Sequence, residues 1–248
     1  MYLSCLLIDV GTNPDRPRPG RLWLRNLYRV HQRLCMAFPS PARESDDAHY
    51  LKPFDPDDFA SEEVHVCRGE NAGFLFRIDP QQGGSAVVLV QSATQPNWDY
   101  AFHNAGHLLR CPPQVRRFSP AFSVGQMLRF RLLANPTKRL CSQSKVRGQP
   151  VEESWIGKRV PVPTDMLEDW LTARAEPAGF RVARLSSVQA GFVYMNNTRE
   201  PGKGLRLRSA RYEGVLEVTD PARFQAALVG GVGPAKAFGF GLLSLAPA

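Results

Sequence analysis

Two apolar runs, Gly73-Phe-Leu-Phe-Arg-Ile78 and Ala86-Val-Val-Leu-Val-Gln91, flank the spacer Asp79-Pro-Gln-Gln-Gly-Gly-Ser85. Aromatic and β-branched residues on both sides of a Pro- and Gly-rich break commit this part of the chain to a β-hairpin. A lone hairpin is marginal in water, so its neighbours decide the fold. Upstream, Tyr2–Val10 reads as a buried strand that ends at Gly11-Thr-Asn-Pro14. The stretch Leu24–Phe38 sets Leu27, Val30, Leu34 and Phe38 at the spacing of a buried helix face and stops near Pro39 and Pro41. Downstream, Asn97–Leu109 gives a weak helix signal. Met127–Leu133 then alternates Leu128, Phe130 and Leu132 against Arg129 and Arg131, as a half-buried strand does.

Strand, helix, strand, strand, helix, strand is the ferredoxin-like plan, which RNA-recognition domains also use. The same grammar returns further on. Thr164–Leu171 opens a helix with Thr164 as its cap. Phe180–Leu185 and Gly191–Met195 read as strands, and Leu205–Val218 as a longer one with a kink or bulge at Gly214. Asp220-Pro221 starts a helix to about Val229, and a glycine-rich stretch, 230–241, leads into a last strand, Leu242–Leu245. The predicted fold is therefore α+β, with two tandem ferredoxin-like domains at 1–135 and 161–248. A polar connector at 136–160 joins them, and an acidic insertion covers about 41–70.

Charge narrows the partners. Residues 41–70 hold nine acidic and three basic residues, net −6, which leaves the rest of the chain at +14 against a whole-chain +8. A basic body points to a polyanionic partner, nucleic acid first and acidic membrane second; the alternative is a basic protein kept soluble by its charge. No apolar run approaches the roughly 20 residues of a membrane span, and no membrane partner is expected. Met1–Val10 lacks the basic start of a secretory signal, and the five scattered cysteines include no Cys-x-x-Cys, so a reducing, cytoplasmic setting is expected.

Nucleotide cofactors are excluded by order. A phosphate-cradling glycine loop needs a strand before it and a helix after it, whereas residues 230–241 follow a helix and precede a strand. His103 and His107 have the spacing of a zinc pair but no third ligand nearby, so no metal is expected.

The chemistry-bearing residues are few. Tyr28 and His31 lie one turn apart on the flank of the first helix, among Arg25, Arg29 and Arg33. A phenol beside an imidazole in a cationic setting can move protons at an anionic substrate, although a Tyr and a His on a half-exposed helix is the plainer alternative. Arg206 and Arg208 share one strand face by two-residue alternation, with Lys203 before them, and can lie along an RNA groove or simply face water. The connector carries Lys138, Arg139, Lys145, Arg147, Lys158 and Arg159 against Glu152 and Glu153. Gly231, Gly233 and Gly239 allow a backbone to approach a phosphodiester, and Lys236 adds charge, or the stretch is merely a turn.

Arg25-Asn-Leu-Tyr28-Arg-Val-His31-Gln32, Phe130-Arg-Leu-Leu-Ala134-Asn135-Pro136, Tyr212-Glu-Gly-Val-Leu216 and Gly231-Val-Gly-Pro-Ala-Lys236-Ala-Phe-Gly239-Phe-Gly-Leu-Leu-Ser244 occur in that order. Together they resemble the CRISPR repeat-RNA endoribonuclease of the type I-E Cascade complex, the CasE or Cse family, across nearly the whole chain. Cys35-Met36 stands where some members carry polar or basic residues. The resemblance implies two ferredoxin-like domains that bind the repeat hairpin and cut at the 3′ base of its stem. It further implies no metal and no cofactor, attack by the ribose 2′-oxygen, and a 2′,3′-cyclic phosphate with a 5′-hydroxyl as products. The enzyme would then stay on the mature CRISPR RNA beside other Cascade subunits. Tyr28 and His31 would be catalytic, with the acid and base roles left open. A non-catalytic hairpin-binding subunit, or a module whose basic surface meets an acidic protein, are the alternatives from other classes.

Overall fold

The computed structural model of the 248-residue chain describes residues 1–38, 73–146, 149–196 and 204–248. The predicted insertion at 41–70 and the predicted contacts Arg147 and Lys203 lie outside the described residues. Two compact units emerge: Met1–Ala121 with Lys236–Leu242, and Phe122–Ala235 with Leu243–Ala248.

The first unit runs β1 (Tyr2–Asp9), α1 (Pro19–Arg25), α2 (Leu27–Cys35), β2 (Phe74–Gln81), β3 (Ser85–Ser92), α3 (Trp98–Phe102) and β4 (Gln114–Arg117). Its strands form one antiparallel sheet in the order β2-β3-β1-β4. Leu6 and Ile8 of β1, Phe76 of β2, and Val88 and Val90 of β3 bury one face of that sheet under Val30 and Leu34 of α2 and Trp98 and Phe102 of α3. The predicted hairpin is present, but its strands run into the spacer. Only Gln82–Gly84 turn, with Gly83 and Gly84 at φ 74° and 73°. β2 is the edge strand, so Pro80 costs no ladder hydrogen bond on its open side. Asp79 binds the Arg77 guanidinium at 2.8 Å, which lets that arginine sit 5% exposed in the strand.

The single helix expected over Leu24–Phe38 is two. Asn26 leaves the helical region at φ −109°, ψ 90°. Its side-chain oxygen accepts the Arg29 N–H at 3.2 Å, while its own N–H donates to the Trp23 carbonyl at 3.0 Å. An asparagine at a helix start satisfies a donor that the helix leaves open, and that local bond overrides the continuous apolar period. The weak helix signal at 97–109 resolves into α3, capped by the Asn97 side chain, and a 3-10 turn at Gly106–Leu108.

The second unit contains β5 (Met127–Ala134), β6 (Thr137–Arg139), β7 (Lys145–Val146), β8 (Gln149–Pro150), β9 (Arg159–Pro161), α4 (Leu167–Ala175), β10 (Phe180–Asn196), β11 (Gly204–Val218), α5 (Pro221–Gly230) and β12 (Leu243–Pro247). Its main sheet has the order β10-β11-β5-β12. The strand expected to close the first domain, Met127–Leu133, therefore opens the second: Leu132 pairs with Tyr212 on one side and Leu243 on the other. The first sheet takes β4 instead, whose Gln-Val-Arg-Arg is exposed throughout and gives no apolar alternation to read. The boundary accordingly falls at Ala121–Phe122 rather than at 135. The expected connector at 136–160 is folded within the second unit, where β6 pairs with β9 and β7 with β8.

Three local expectations also change. The strands at 180–185 and 191–195 are one, because Ser187, Val188, Gln189 and Ala190 between them keep pairing with β11. The bulges lie on β10, between Val182/Arg184 and Leu185/Ser187, and Gly214 accommodates them: a Cβ there would meet the Arg184 carbonyl oxygen. Thr164 starts a 3-10 turn, Thr164–Met166, ahead of α4, and its hydroxyl accepts from Arg208 instead of capping a helix. The Asp220 cap is as expected, its carboxylate accepting the Ala222 and Arg223 N–H groups at 3.0 Å. Among the described residues no helix is long and apolar enough to cross a membrane.

Candidate functional site

Because Leu27, Val30 and Leu34 of α2 face the core, Tyr28 and His31 fall on its flank. Tyr28 is 37% exposed. His31 is half-buried, its ring stacked over Phe74 at 5.2 Å between centroids and 26° between planes, with Phe76 at 6.4 Å. On the next turn the Cys35 sulfur lies 3.5 Å from His31 Nε2. The imidazole is thus held between an aromatic strand and a thiol, which fixes its direction beside an exposed phenol.

A segment distant in sequence completes this neighbourhood. The 3-10 turn Lys236–Phe238 packs against α2 and β2 within the same unit. Gly239, at φ 80°, lets it close onto the strand, since a Cβ there would come within 3.1 Å of the Phe76 ring. Ala235, just before the lysine, holds a left-handed φ of 62°, a conformation that costs an L-residue roughly 1–2 kcal/mol. Lys236 itself is exposed. Two other glycines of the stretch have structural tasks. Gly231 ends α5, its N–H donating to Ala227 O at 2.8 Å, and a Cβ at Gly233 would press on Trp170 at 3.0 Å.

The arginines expected around α2 divide. Arg25 and Arg29 are exposed. Arg33 is a tether: its Nη1 donates to Ala101 O and to Asn104 Oδ1, both at 2.9 Å, and burial lowers its guanidinium pKa from the ordinary value. Met36 packs against the core and brings no charge to the helix end.

In the second unit Arg206 and Arg208 do share a face, but it is the row that continues into the core as Ala210, Tyr212 and Leu216. Arg208 is only 8% exposed and donates from Nη2 to Thr164 Oγ1 at 2.8 Å, so it is not the free ribbon cation expected. β5 pairs with β11 only from Ala210 to Glu217, so Arg206 stands on the two-stranded end. There it lies 3.6 Å from the Phe192 ring centroid, beside Tyr194, which is 66% exposed. This aromatic row across β10 was legible only once the pairing was known. Lys138, Arg139, Lys158 and Arg159 are exposed, and Lys145 lies in β7. The exposed pair Arg116 and Arg117 on β4 escaped sequence reading with the strand itself. Among the described residues no group of three His, Cys, Asp or Glu could hold a metal ion.

The family model described as CRISPR associated protein matches residues 1–247. The CRISPR-associated endoribonuclease Cse3 of Thermus thermophilus is 39% identical over 258 aligned positions that cover all of both chains. The CRISPR system Cascade subunit CasE of Escherichia coli is 26% identical over 251 positions, again covering both chains. The solved structure of Thermus thermophilus Cse3 bound to an RNA representing a pre-cleavage complex aligns with a TM-score of 0.67 and 32% identity, over 99% of this chain and 98% of that one.

Proposed function

Because the chain belongs to the CasE/Cse3 family of CRISPR-associated proteins, we propose that it is a metal-independent endoribonuclease that cuts precursor CRISPR RNA at the 3′ base of the repeat stem-loop. It works in the cytoplasm and stays on the mature guide RNA as a subunit of Cascade. One relative's name is endoribonuclease, another's is Cascade subunit, and one solved relative holds RNA. The matching strand order of the two main sheets supports reading both units as ferredoxin-like.

One observation carries the catalytic assignment: an exposed phenol and a clamped imidazole stand one turn apart on α2, with the Lys236 turn packed on the same helix. The 2′-hydroxyl loses its proton, its oxygen bonds to the adjacent phosphorus, and the bond from phosphorus to the 5′-oxygen breaks as that oxygen takes a proton. An imidazole can hold or release a proton near neutrality, so His31 serves one of these transfers. Tyr28, exposed beside that imidazole, positions the ribose or phosphate, or assists the transfer. The exposed cations Arg25, Arg29 and Lys236 face phosphate from the first unit. Arg206, Lys138, Arg139, Lys158 and Arg159 do so from the second. Holding the 2′-oxygen in line with the leaving oxygen supplies much of the remaining rate.

Cys35-Met36, standing where some members of the family carry polar or basic residues, with Met36 packed against the core, favours one competing reading, a hairpin-binding subunit without activity. Repeat RNA incubated with the protein in EDTA and run on a denaturing gel separates the two. The expected result is a single cut at the 3′ base of the stem; RNA that is bound but uncut selects the binder.

A further inference from the structure

The chain has four tryptophans. Trp98 and Trp170 are buried at 5% and 8% exposure, Trp23 is partly buried, and Trp155 is 48% exposed. Trp155 ends a 3-10 turn, Glu153–Trp155, that is pinned to the β6–β9 pair. The Gly157 N–H donates to Leu140 O at 2.8 Å and the Leu140 N–H to Lys158 O at 2.9 Å. The ring is therefore displayed on a fixed loop rather than on a loose one.

Its surroundings are cationic. The Lys158 ammonium lies 5.2 Å from the Trp155 ring centroid. Arg139 and Arg159 are direct cross-strand partners, an apposition of like charges that disfavours the pair unless an anion lies between them. Arg139 donates to the Gly157 carbonyl at 3.0 Å, which draws it beside the turn. Among the described residues none of these three cations forms an ion pair with a carboxylate.

From this arrangement we infer that Trp155, with Lys158, Arg139 and Arg159, is a stacking site for an unpaired nucleobase of the RNA, the cations taking the neighbouring phosphates. A flat aromatic stacks on any base, and phosphate supplies the anion that the opposed arginines lack. Bases within a stem are already stacked on one another, so the ligand is a single-stranded nucleotide flanking the hairpin. The inference rests on the RNA-binding reading above and extends it to a part of the chain outside the catalytic helix.

Fluorescence anisotropy of labelled repeat hairpin, blunt or extended by unpaired nucleotides on either side, tests it with wild type, Trp155→Ala and Trp155→Phe. Wild type is expected to bind the extended RNA more tightly than the blunt one. Trp155→Ala loses roughly ten-fold on the extended RNA alone, and Trp155→Phe keeps most of the gain. Quenching of tryptophan emission by the extended RNA disappears in both variants. Equal binding of extended RNA by wild type and Trp155→Ala overturns the inference and leaves this surface to a protein partner. Failure of wild type to bind even the blunt hairpin would instead sink the RNA-binding reading itself.

Discussion

His31→Ala is expected to reduce cleavage of repeat RNA by about a hundred- to ten-thousand-fold, the range for removing a general acid or base, while hairpin affinity stays near the wild-type value. The geometry makes the variant a clean one. His31 is only half-buried and lies outside the Val30–Leu34 row that holds α2 to the sheet, so its truncation removes a stack on Phe74 without opening the core. Single-turnover cleavage reports the chemical step, and anisotropy on the same hairpin reports binding. A variant that cuts at the wild-type rate removes His31 from the reaction, whatever the fate of Tyr28.

Arg206→Ala and Arg208→Ala should behave in opposite ways although both arginines lie on one face of β11. Arg208 is buried and bonded to Thr164 at 2.8 Å, and its own carbonyl accepts the Asn135 amide at 2.6 Å. Its truncation leaves the Thr164 hydroxyl without that donor and vacates space beside Phe192, which costs about 1–3 kcal/mol and lowers the melting temperature. Arg206 stands on the two-stranded end of the hairpin, over Phe192 and beside the exposed Tyr194. Arg206→Ala leaves the melting temperature in place, weakens RNA binding, and lowers the slope of log affinity against log salt by about 1, the signature of one lost phosphate contact. An unchanged salt slope takes Arg206 out of the RNA footprint.

These two arginines show what the sequence could and could not say. Alternation reveals which strand residues share a face; it does not reveal how far along that face the cover extends, and here Thr164 and Asn135, distant in sequence, reach Arg208 but not Arg206. The same division runs through the fold. The Leu27–Val30–Leu34 row and the Asp220 cap were legible because the signal lies in neighbouring residues. The alternation of β5 was legible too, but its place in the second sheet was not, since strand pairing is a contact across long stretches of chain. β4 carried no signal at all: an exposed edge strand has no face to bury. Asn26 was visible as a residue but not as a break, because a cap inside an apolar period competes with the period itself. At the site, Tyr28 and His31 followed from helix spacing. Phe74 over the imidazole, the Lys236 turn on α2 and the diversion of Arg33 to Ala101 and Asn104 all needed tertiary structure.

The most direct test of a 2′-oxygen attack organised by α2 uses a repeat hairpin with a single 2′-deoxy nucleotide on the 5′ side of the cut, in EDTA. Wild-type protein is expected to bind this RNA as tightly as the all-ribose hairpin and to leave it intact, while the all-ribose hairpin is cut to a 2′,3′-cyclic phosphate. Cleavage of the deoxy-substituted RNA at the ordinary rate would mean that a different nucleophile attacks the phosphate, and would rule out 2′-oxygen attack.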